Sequence, residues 1–229
     1  MPELPDILLY LHALRPRIVG RRVQGVRLAS PFLLRSIDPP LSAIEGRTVM
    51  NLHRLGKRVV IEAERELFLV FHLMIAGRFR WKDPGAKIPG KIGLFAIDFE
   101  HGTLILTEAG SKRQASLHLV TGRAGLADHD RGGLDVLDAT LPAFTEALQR
   151  ENHTLKRALT DQELRQLFDA TRATLSHWVS TLREEAGDAF PEKVTAFRDG
   201  MAVHGKYGQP CPDCGAPVQR VVYAANEAN

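Results

Sequence analysis

The sequence predicts an α+β fold in which an N-terminal β-sandwich domain is followed by an α-helical lobe. A helical pattern opens the chain, and residues 20–120 alternate apolar and polar positions with a composition typical of strands. From about residue 138 the apolar spacing becomes helical. The predicted domains are residues 1–125, 138–200 and 201–229, and the last of these contains both cysteines.

The composition is that of a folded globular protein with a basic surface. Of the 229 residues, 44% are hydrophobic and 25% are charged, which is ordinary for a globular domain. A net charge of +3 and a pI near 9.0 favour an anionic partner such as nucleic acid, although basic clusters are also common on solvated surfaces. No apolar stretch approaches the length of a membrane span and no signal peptide is evident, so we expect a cytoplasmic protein without a membrane partner.

The first helix is predicted to begin just after Leu4. Pro5 suits the first helical position and Asp6 suits the first turn. Apolar residues then recur at helical spacing until Pro16, where we expect the helix to end. The positive end of this helix dipole would lie beside the chain terminus and would disfavour a protonated amine there.

Met1 precedes a proline and a glutamate, and this order has a chemical consequence. Removal of Met1 would leave Pro2 as a secondary amine with the Glu3 carboxylate beside it. A free α-amine titrates at about pH 8, so a useful fraction is unprotonated at neutral pH and can attack an electrophilic sugar carbon. The alternative is that Met-Pro is an ordinary chain start without a catalytic role.

The helical lobe contains one well-marked helix. Thr160 and Glu163 form a capping box, Gly187 follows the last periodic residue, and together they predict a helix over residues 161–186. Shorter helices are predicted near residues 141–150 and from about Thr154. Residues 84–91 and 128–133 are the predicted loop and hinge. One apolar face of the long helix is expected to form core: Leu164, Leu167, Phe168, Thr171, Leu175, Trp178, Val179 and Leu182.

Five short segments carry a resemblance to a known family. They read Met-Pro-Glu-Leu-Pro-Asp at residues 1–6, Arg-Leu-Gly-Lys-Arg at 54–58, Phe-His-Leu-Met-Ile-Ala-Gly at 71–77, Asn-His-Thr-Leu-Lys at 152–156 and Cys-Pro-Asp-Cys-Gly at 211–215. In this order they resemble landmarks of the formamidopyrimidine-DNA glycosylase and endonuclease VIII family. These landmarks are its N-terminus, catalytic-lysine loop, His-Leu-Gly-Met loop, helix–two-turn–helix entry and zinc-finger start.

The resemblance implies a fold and an activity. The fold would be an N-terminal β-sandwich flanked by helices, an α-helical lobe of helix–two-turn–helix type and a C-terminal zinc-finger hairpin. The activity would be base excision repair by a monomeric DNA glycosylase with associated AP lyase. Its partner would be double-stranded DNA that contains oxidised bases or abasic sites. Pro2 would attack the sugar, Glu3 would move protons at the ring, and Lys57 would hold a phosphate and assist β-elimination.

The same resemblance implies a set of DNA contacts. Met74 or Ile75 would fill the gap that a flipped-out nucleotide leaves in the duplex, although both could equally be core residues at a strand end. The loop after residue 108 lacks the phenylalanine that the formamidopyrimidine branch places there, and Lys112 or Arg113 would enter the duplex instead. Phosphate contacts are expected from a further set: Lys91, Asn152 and Lys156.

Two departures from the family pattern bear on function. After residue 161 the chain lacks the family's Gly-Ile-Gly-Asn turn, and the following helix is also missing. Zn²⁺ is the metal expected of the family, but Cys211 and Cys214 supply only two of four cysteine ligands. A redox Cys-x-x-Cys is the alternative reading of this pair. A catalytically impaired DNA-binding remnant of the family is therefore the alternative to an active enzyme.

Overall fold

The computed structural model describes residues 2–110, 112–151, 159–192, 194–195, 198, 200–223 and 226–228. The chain forms two compact units, Met1–Val194 and Thr195–Asn229. The helix predicted to begin near Thr154 lies outside the described residues. Among the helices that the structure does describe, none is both long and apolar enough to cross a bilayer.

The first helix, α1 (Leu4–Ile18), begins one residue before the predicted start and ends later than predicted. Glu3 precedes it in extended conformation, and its backbone amide donates to Asp6 Oδ2 at 2.8 Å. The predicted end at Pro16 is wrong, because the helix continues for two more residues. Proline removes only one backbone N–H donor from the helix. In this last turn the Arg17 Nη1 donates to the Ala13 carbonyl at 2.6 Å.

Residues 25–121 form the predicted β-sandwich, which consists of two four-stranded antiparallel sheets. The first sheet has the order β1-β6-β7-β5, and the second has the order β2-β3-β4-β8. The strands are β1 (Gly25–Leu28), β2 (Val49–Leu55), β3 (Arg58–Ala63), β4 (Leu67–His72), β5 (Gly77–Lys82), β6 (Gly93–Phe99), β7 (Gly102–Glu108) and β8 (Ser116–Thr121).

The alternate side chains of β4 distinguish the inner face of the second sheet from its outer face. Leu69 and Phe71 belong to the main core between the sheets, whereas Phe68 and Val70 belong to a small cluster on the outer face. Because successive side chains of a strand point to opposite faces, residues in register with Val70 lie on the outer face as well. Leu126 of the short helix α2 (Gly122–Ala127) packs on that cluster.

The helical lobe follows a linker of residues 128–140, called the linker below. Helix α3 (Leu141–Glu151) matches its prediction. Helix α4 (Asp161–Ala186) confirms both the bounds and the capping box, because the Thr160 Oγ1 accepts from the Glu163 amide at 3.3 Å. Four of the eight predicted face residues are buried, but Leu167 is 37% exposed.

After α4 the chain returns to the sandwich. Phe190 and Val194 join the main core, and the Glu192 carboxylate pairs with Arg80 and Lys82 of β5 at 2.7 and 2.8 Å. The second unit contains an antiparallel pair, β9 (Val221–Tyr223) and β10 (Asn226–Ala228).

Candidate functional site

Lys57 and Glu3 form an ion pair at the N-terminal end of α1. The Lys57 Nζ lies 2.6 Å from the Glu3 Oε2, and the two side chains are 43% and 45% exposed. Pro2 is adjacent to Glu3 in the chain and is buried. The structure thus brings together the side chains of two residues that the sequence predicts to be catalytic. The pair is open to solvent, so a substrate group can reach it.

A two-residue turn between β2 and β3 positions Lys57. Leu55 and Arg58 face each other in the ladder, and Gly56 takes a positive φ of 58° that favours glycine. The turn is also held from outside, because Arg54 forms an ion pair with Asp135 of the linker. Burial lowers the pKa of the Arg54 guanidinium, which still carries its charge at neutral pH.

The loop between β4 and β5 presents Met74 and Ile75. The Gly77 amide donates to the Leu73 carbonyl at 2.8 Å and closes a tight turn. Ile75 is 62% exposed at the tip, whereas Met74 is half-buried and has a φ of 51°. Of the two candidates, Ile75 is therefore the more exposed side chain.

Arg78 anchors this loop, and sequence reasoning missed its role. Its Nη1 donates to the Ile75 carbonyl at 3.1 Å, and its Nε donates to the Val194 carbonyl at 2.6 Å. One guanidinium thus joins the tip of the loop to the segment after α4. No local pattern could reveal this, because the two carbonyls are brought together only by the tertiary fold.

The loop that carries Lys112 and Arg113, residues 109–115, is clamped by Glu108. This side chain is 1% exposed, and its carboxylate accepts from the amides of Gln114 and Ala115 at 3.0 to 3.3 Å. A glutamate that ends an otherwise apolar strand is the sequence signal that could have indicated this clamp. Lys112 and Arg113, carried between the clamped ends, are both exposed.

Lys91 lies beside this loop. The Arg113 Nη2 donates to the Lys91 carbonyl at 2.5 Å, while the Lys91 side chain remains exposed. Besides Met74 and Ile75, three of the seven predicted DNA contacts therefore occupy neighbouring loops. The other two, Asn152 and Lys156, lie outside the described residues.

The cysteine pair forms a turn without a complete metal site. The Cys211 amide donates to the Ala216 carbonyl at 2.8 Å, and the Gly215 amide donates to the Cys211 carbonyl at 2.9 Å. Hydrogen bonds from the backbone of Cys214 and Asp213 lower the pKa of the Cys211 thiol. Among the residues described by the structure, no group of three metal-binding side chains occurs. The two thiols therefore do not fit the four-ligand set of structural zinc.

Comparison with known proteins gives consistent matches along the chain. The family model for the formamidopyrimidine-DNA glycosylase N-terminal domain matches residues 1–116. The formamidopyrimidine-DNA glycosylase of Thermus thermophilus is 28% identical over 256 residues, which covers 98% of this chain and 94% of the relative. That of Laribacter hongkongensis is 29% identical over 259 residues, with 96% and 94% covered. Both alignments are longer than this chain, so the relatives carry residues that it lacks.

Solved structures match over the same extent. The crystal structure of the MutM (Fpg) protein from Thermus thermophilus aligns with a TM-score of 0.78 at 25% identity, covering 99% of this chain and 96% of that one. A Lactococcus lactis formamidopyrimidine-DNA glycosylase bound to DNA with an abasic site aligns with a TM-score of 0.80 at 18% identity, covering 98% and 96%. The second match shows a shared fold.

Proposed function

Because this chain belongs to the formamidopyrimidine-DNA glycosylase family, we propose that it removes oxidised bases from DNA and cleaves the strand through an AP lyase step. The observation that carries the proposal is the Lys57–Glu3 ion pair beside Pro2. The relative from Lactococcus lactis, which was solved with abasic-site DNA, supports the substrate class.

Removal of Met1 makes the Pro2 nitrogen the nucleophile. As this nitrogen bonds to C1′ of the damaged nucleotide, the bond from C1′ to the base breaks, and the base leaves with its electron pair and takes up a proton. Glu3 accepts the proton that the Pro2 nitrogen then loses and passes it to O4′ as the sugar ring opens. The product is an iminium ion between C1′ and the proline nitrogen.

The lyase step follows from the iminium ion. This ion acidifies the C2′ protons, and loss of one of them expels the 3′ phosphate with the electron pair of its C3′–O bond. Lys57 neutralises the departing phosphate and so stabilises the charge that develops on it. Water then hydrolyses the iminium ion, which releases an unsaturated aldehyde and restores the amine of Pro2.

Base release requires the nucleotide to leave the helical stack first. In this proposal Ile75 takes the vacated space in the duplex, and Lys112 or Arg113 approaches from the neighbouring loop. Lys91, Asn152 and Lys156 contact phosphates.

Borohydride trapping on a duplex with an abasic site tests the proposal directly. Borohydride reduces the iminium ion to a stable amine, so an active enzyme becomes covalently joined to the DNA. We expect an adduct from Met1-free protein, and we expect Pro2→Gly to abolish it. Lys57→Met should slow adduct formation and strand cleavage. Lys82→Met is the matched control, because Lys82 also pairs with a carboxylate, Glu192, but on another sheet.

The two candidate functions give different results in this experiment. A folded, Met1-free protein that binds the duplex without forming an adduct would be a DNA-binding remnant, and the enzyme proposal would fail. Absence of the Gly-Ile-Gly-Asn turn expected of the family would weaken the grip on DNA, since each charge-assisted phosphate contact contributes about 1.5–3 kcal/mol. We therefore expect cleavage of pre-formed abasic sites to survive better than base excision, which also has to extrude a base.

A further inference from the structure

The outer face of the second sheet carries a row of polar and basic side chains that the proposed chemistry does not use. Arg58 of β3 is in register with His72 of β4, which is in register with Ser116 of β8. His118 lies two residues further along β8, opposite Val70. All of these positions share the outer face, since Val70 lies there.

His118 lies against a second histidine, and the two rings are tilted by 54° to each other. Its ring centroid lies 4.4 Å from that of His129, at the start of the linker. Arg131 follows two residues later and acts electrostatically on both Arg58 and His72. Because these groups come from β3, β4, β8 and the linker, only the folded chain brings them together.

Positive charge dominates this cluster. Neither Arg58 nor Arg131 forms an ion pair with any carboxylate of the described residues, although the Asp130 carboxylate acts electrostatically on Arg58 and raises its pKa. Burial, the neighbouring His129 ring and Arg58 lower the pKa of His118 to about 4, and burial with Arg58 lowers the pKa of His129. The charged groups that act on these two rings are Arg35 before β2, Arg58 on β3, and Asp128 in the linker.

Burial is the largest cause of the lowered pKa of both histidines, and the cationic groups beside them lower it further, so an anion would complete the site. A bound phosphate would offset the charge of the guanidiniums and allow the rings to become protonated donors. The row also begins at the residue after Lys57, so it continues directly from the candidate catalytic pair. This continuity favours a phosphate of the DNA backbone over a free anion.

We propose that His118, His129, Arg58 and Arg131 bind a phosphate of the DNA strand and that the histidine pair takes up protons as it does so. The proposal rests on DNA being the substrate. Phosphate binding raises the histidine pKa values, so affinity is highest at low pH and is lost as pH rises through the pKa values of the complex. For each proton taken up on binding, the affinity falls about tenfold for each unit of rise in pH within that window.

The test measures the dissociation constant for a duplex with a non-cleavable abasic-site analogue, by fluorescence anisotropy at constant ionic strength. Between about pH 5.5 and pH 7.5, we expect wild-type affinity to fall by about tenfold or more. The double variant His118→Gln/His129→Gln should bind with little pH dependence. His12→Gln, which removes an exposed histidine of α1, should behave like the wild type. A double variant that keeps the full wild-type pH dependence would overturn the proposal.

A second measurement separates this site from the proposed function. Histidine ring pKa values are measured by NMR in inorganic phosphate and in chloride at equal ionic strength, without DNA. We expect phosphate to raise the pKa of His118. If the protein binds no DNA at any pH, the proposed function fails. The NMR measurement alone then decides whether an anion site exists. An unchanged pKa of His118 in phosphate would overturn the proposed site. A raised pKa with an unaltered pH dependence of DNA binding would mean that the site takes free phosphate, which contradicts the proposed backbone contact.

Discussion

Arg54 and Asp135 form an ion pair that joins the turn carrying Lys57 to the linker before the helical lobe. The two side chains are 18% and 34% exposed, and the Asp138 carboxylate also acts on the Arg54 guanidinium. The position of the turn that carries Lys57 is thus tied to a segment about eighty residues away in the chain.

Asp135→Asn should destabilise the protein by about 1–3 kcal/mol, because it leaves a largely buried guanidinium without its counter-charge. The strand-cleavage rate should fall as well, since the turn loses its tether. Urea unfolding and cleavage of abasic-site DNA measure the two effects. Asp169→Asn, on the exposed side of α4, is the control. Equal stability of the two variants would contradict the tether.

Met74→Gly should stabilise the fold. Met74 has a φ of 51°, and a side chain in the left-handed region costs about 1–2 kcal/mol. The added backbone freedom of glycine in the unfolded chain offsets part of that gain, about 0.5–1 kcal/mol. The net change should be an increase of up to about 1 kcal/mol in the free energy of unfolding. Met74→Ala, which keeps the Cβ, should show no such increase; if it stabilises as much as glycine, backbone strain is not the cause.

Gly77→Ala should be strongly destabilising. A Cβ at this position would lie 2.3 Å from the Leu73 carbonyl oxygen, which is backbone and cannot swing aside. The turn must open, so the Gly77–Leu73 hydrogen bond weakens and Ile75 is displaced. We expect a loss of about 2–4 kcal/mol in unfolding free energy. Gly90→Ala adds a Cβ to open space and should be close to neutral, so a similar loss in both variants would refute the steric account.

Glu108→Gln should loosen the loop that carries Lys112 and Arg113. The amide group replaces one accepting oxygen with a donor that faces backbone N–H groups, which costs about 1–3 kcal/mol for a buried site. Hydrogen exchange at the Gln114 and Ala115 amides should therefore accelerate relative to the wild type. Glu100→Gln, an exposed change at the end of β6, should leave both exchange and stability unaltered. Unchanged protection in Glu108→Gln would show that the carboxylate does not hold the loop.

His118 should make the protein sensitive to mild acid. Its pKa is lowered to about 4 in the folded protein and is about 6.5 when unfolded, so the unfolded chain binds more protons between these values. The contribution of the neutral ring is fully present above about pH 6.5 and is lost as pH falls towards about pH 4. His118→Gln should therefore show a shallower loss of stability over this range in urea titrations. An identical slope in both proteins would exclude His118 as a source.

The secondary structure was largely predictable because its signals are local. Alternation along residues 20–120 and the capping box at Thr160 depend on neighbours within a few positions, and both predictions are confirmed. The end of α1 was not predictable in this way. Pro16 breaks a helix in its interior, but near the C-terminus the cost is one missing donor, so the helix runs on to Ile18.

By itself, the sequence determined the α+β class, the sandwich and the identity of the residues proposed for catalysis, because residue type, spacing and motif order are properties of the chain. The tertiary structure alone decided that Lys57 meets Glu3, that Arg78 joins a loop tip to Val194, and that the His118 ring contacts that of His129. These contacts join residues that are distant in the chain. They depend on strand register and sheet packing, which no local pattern encodes.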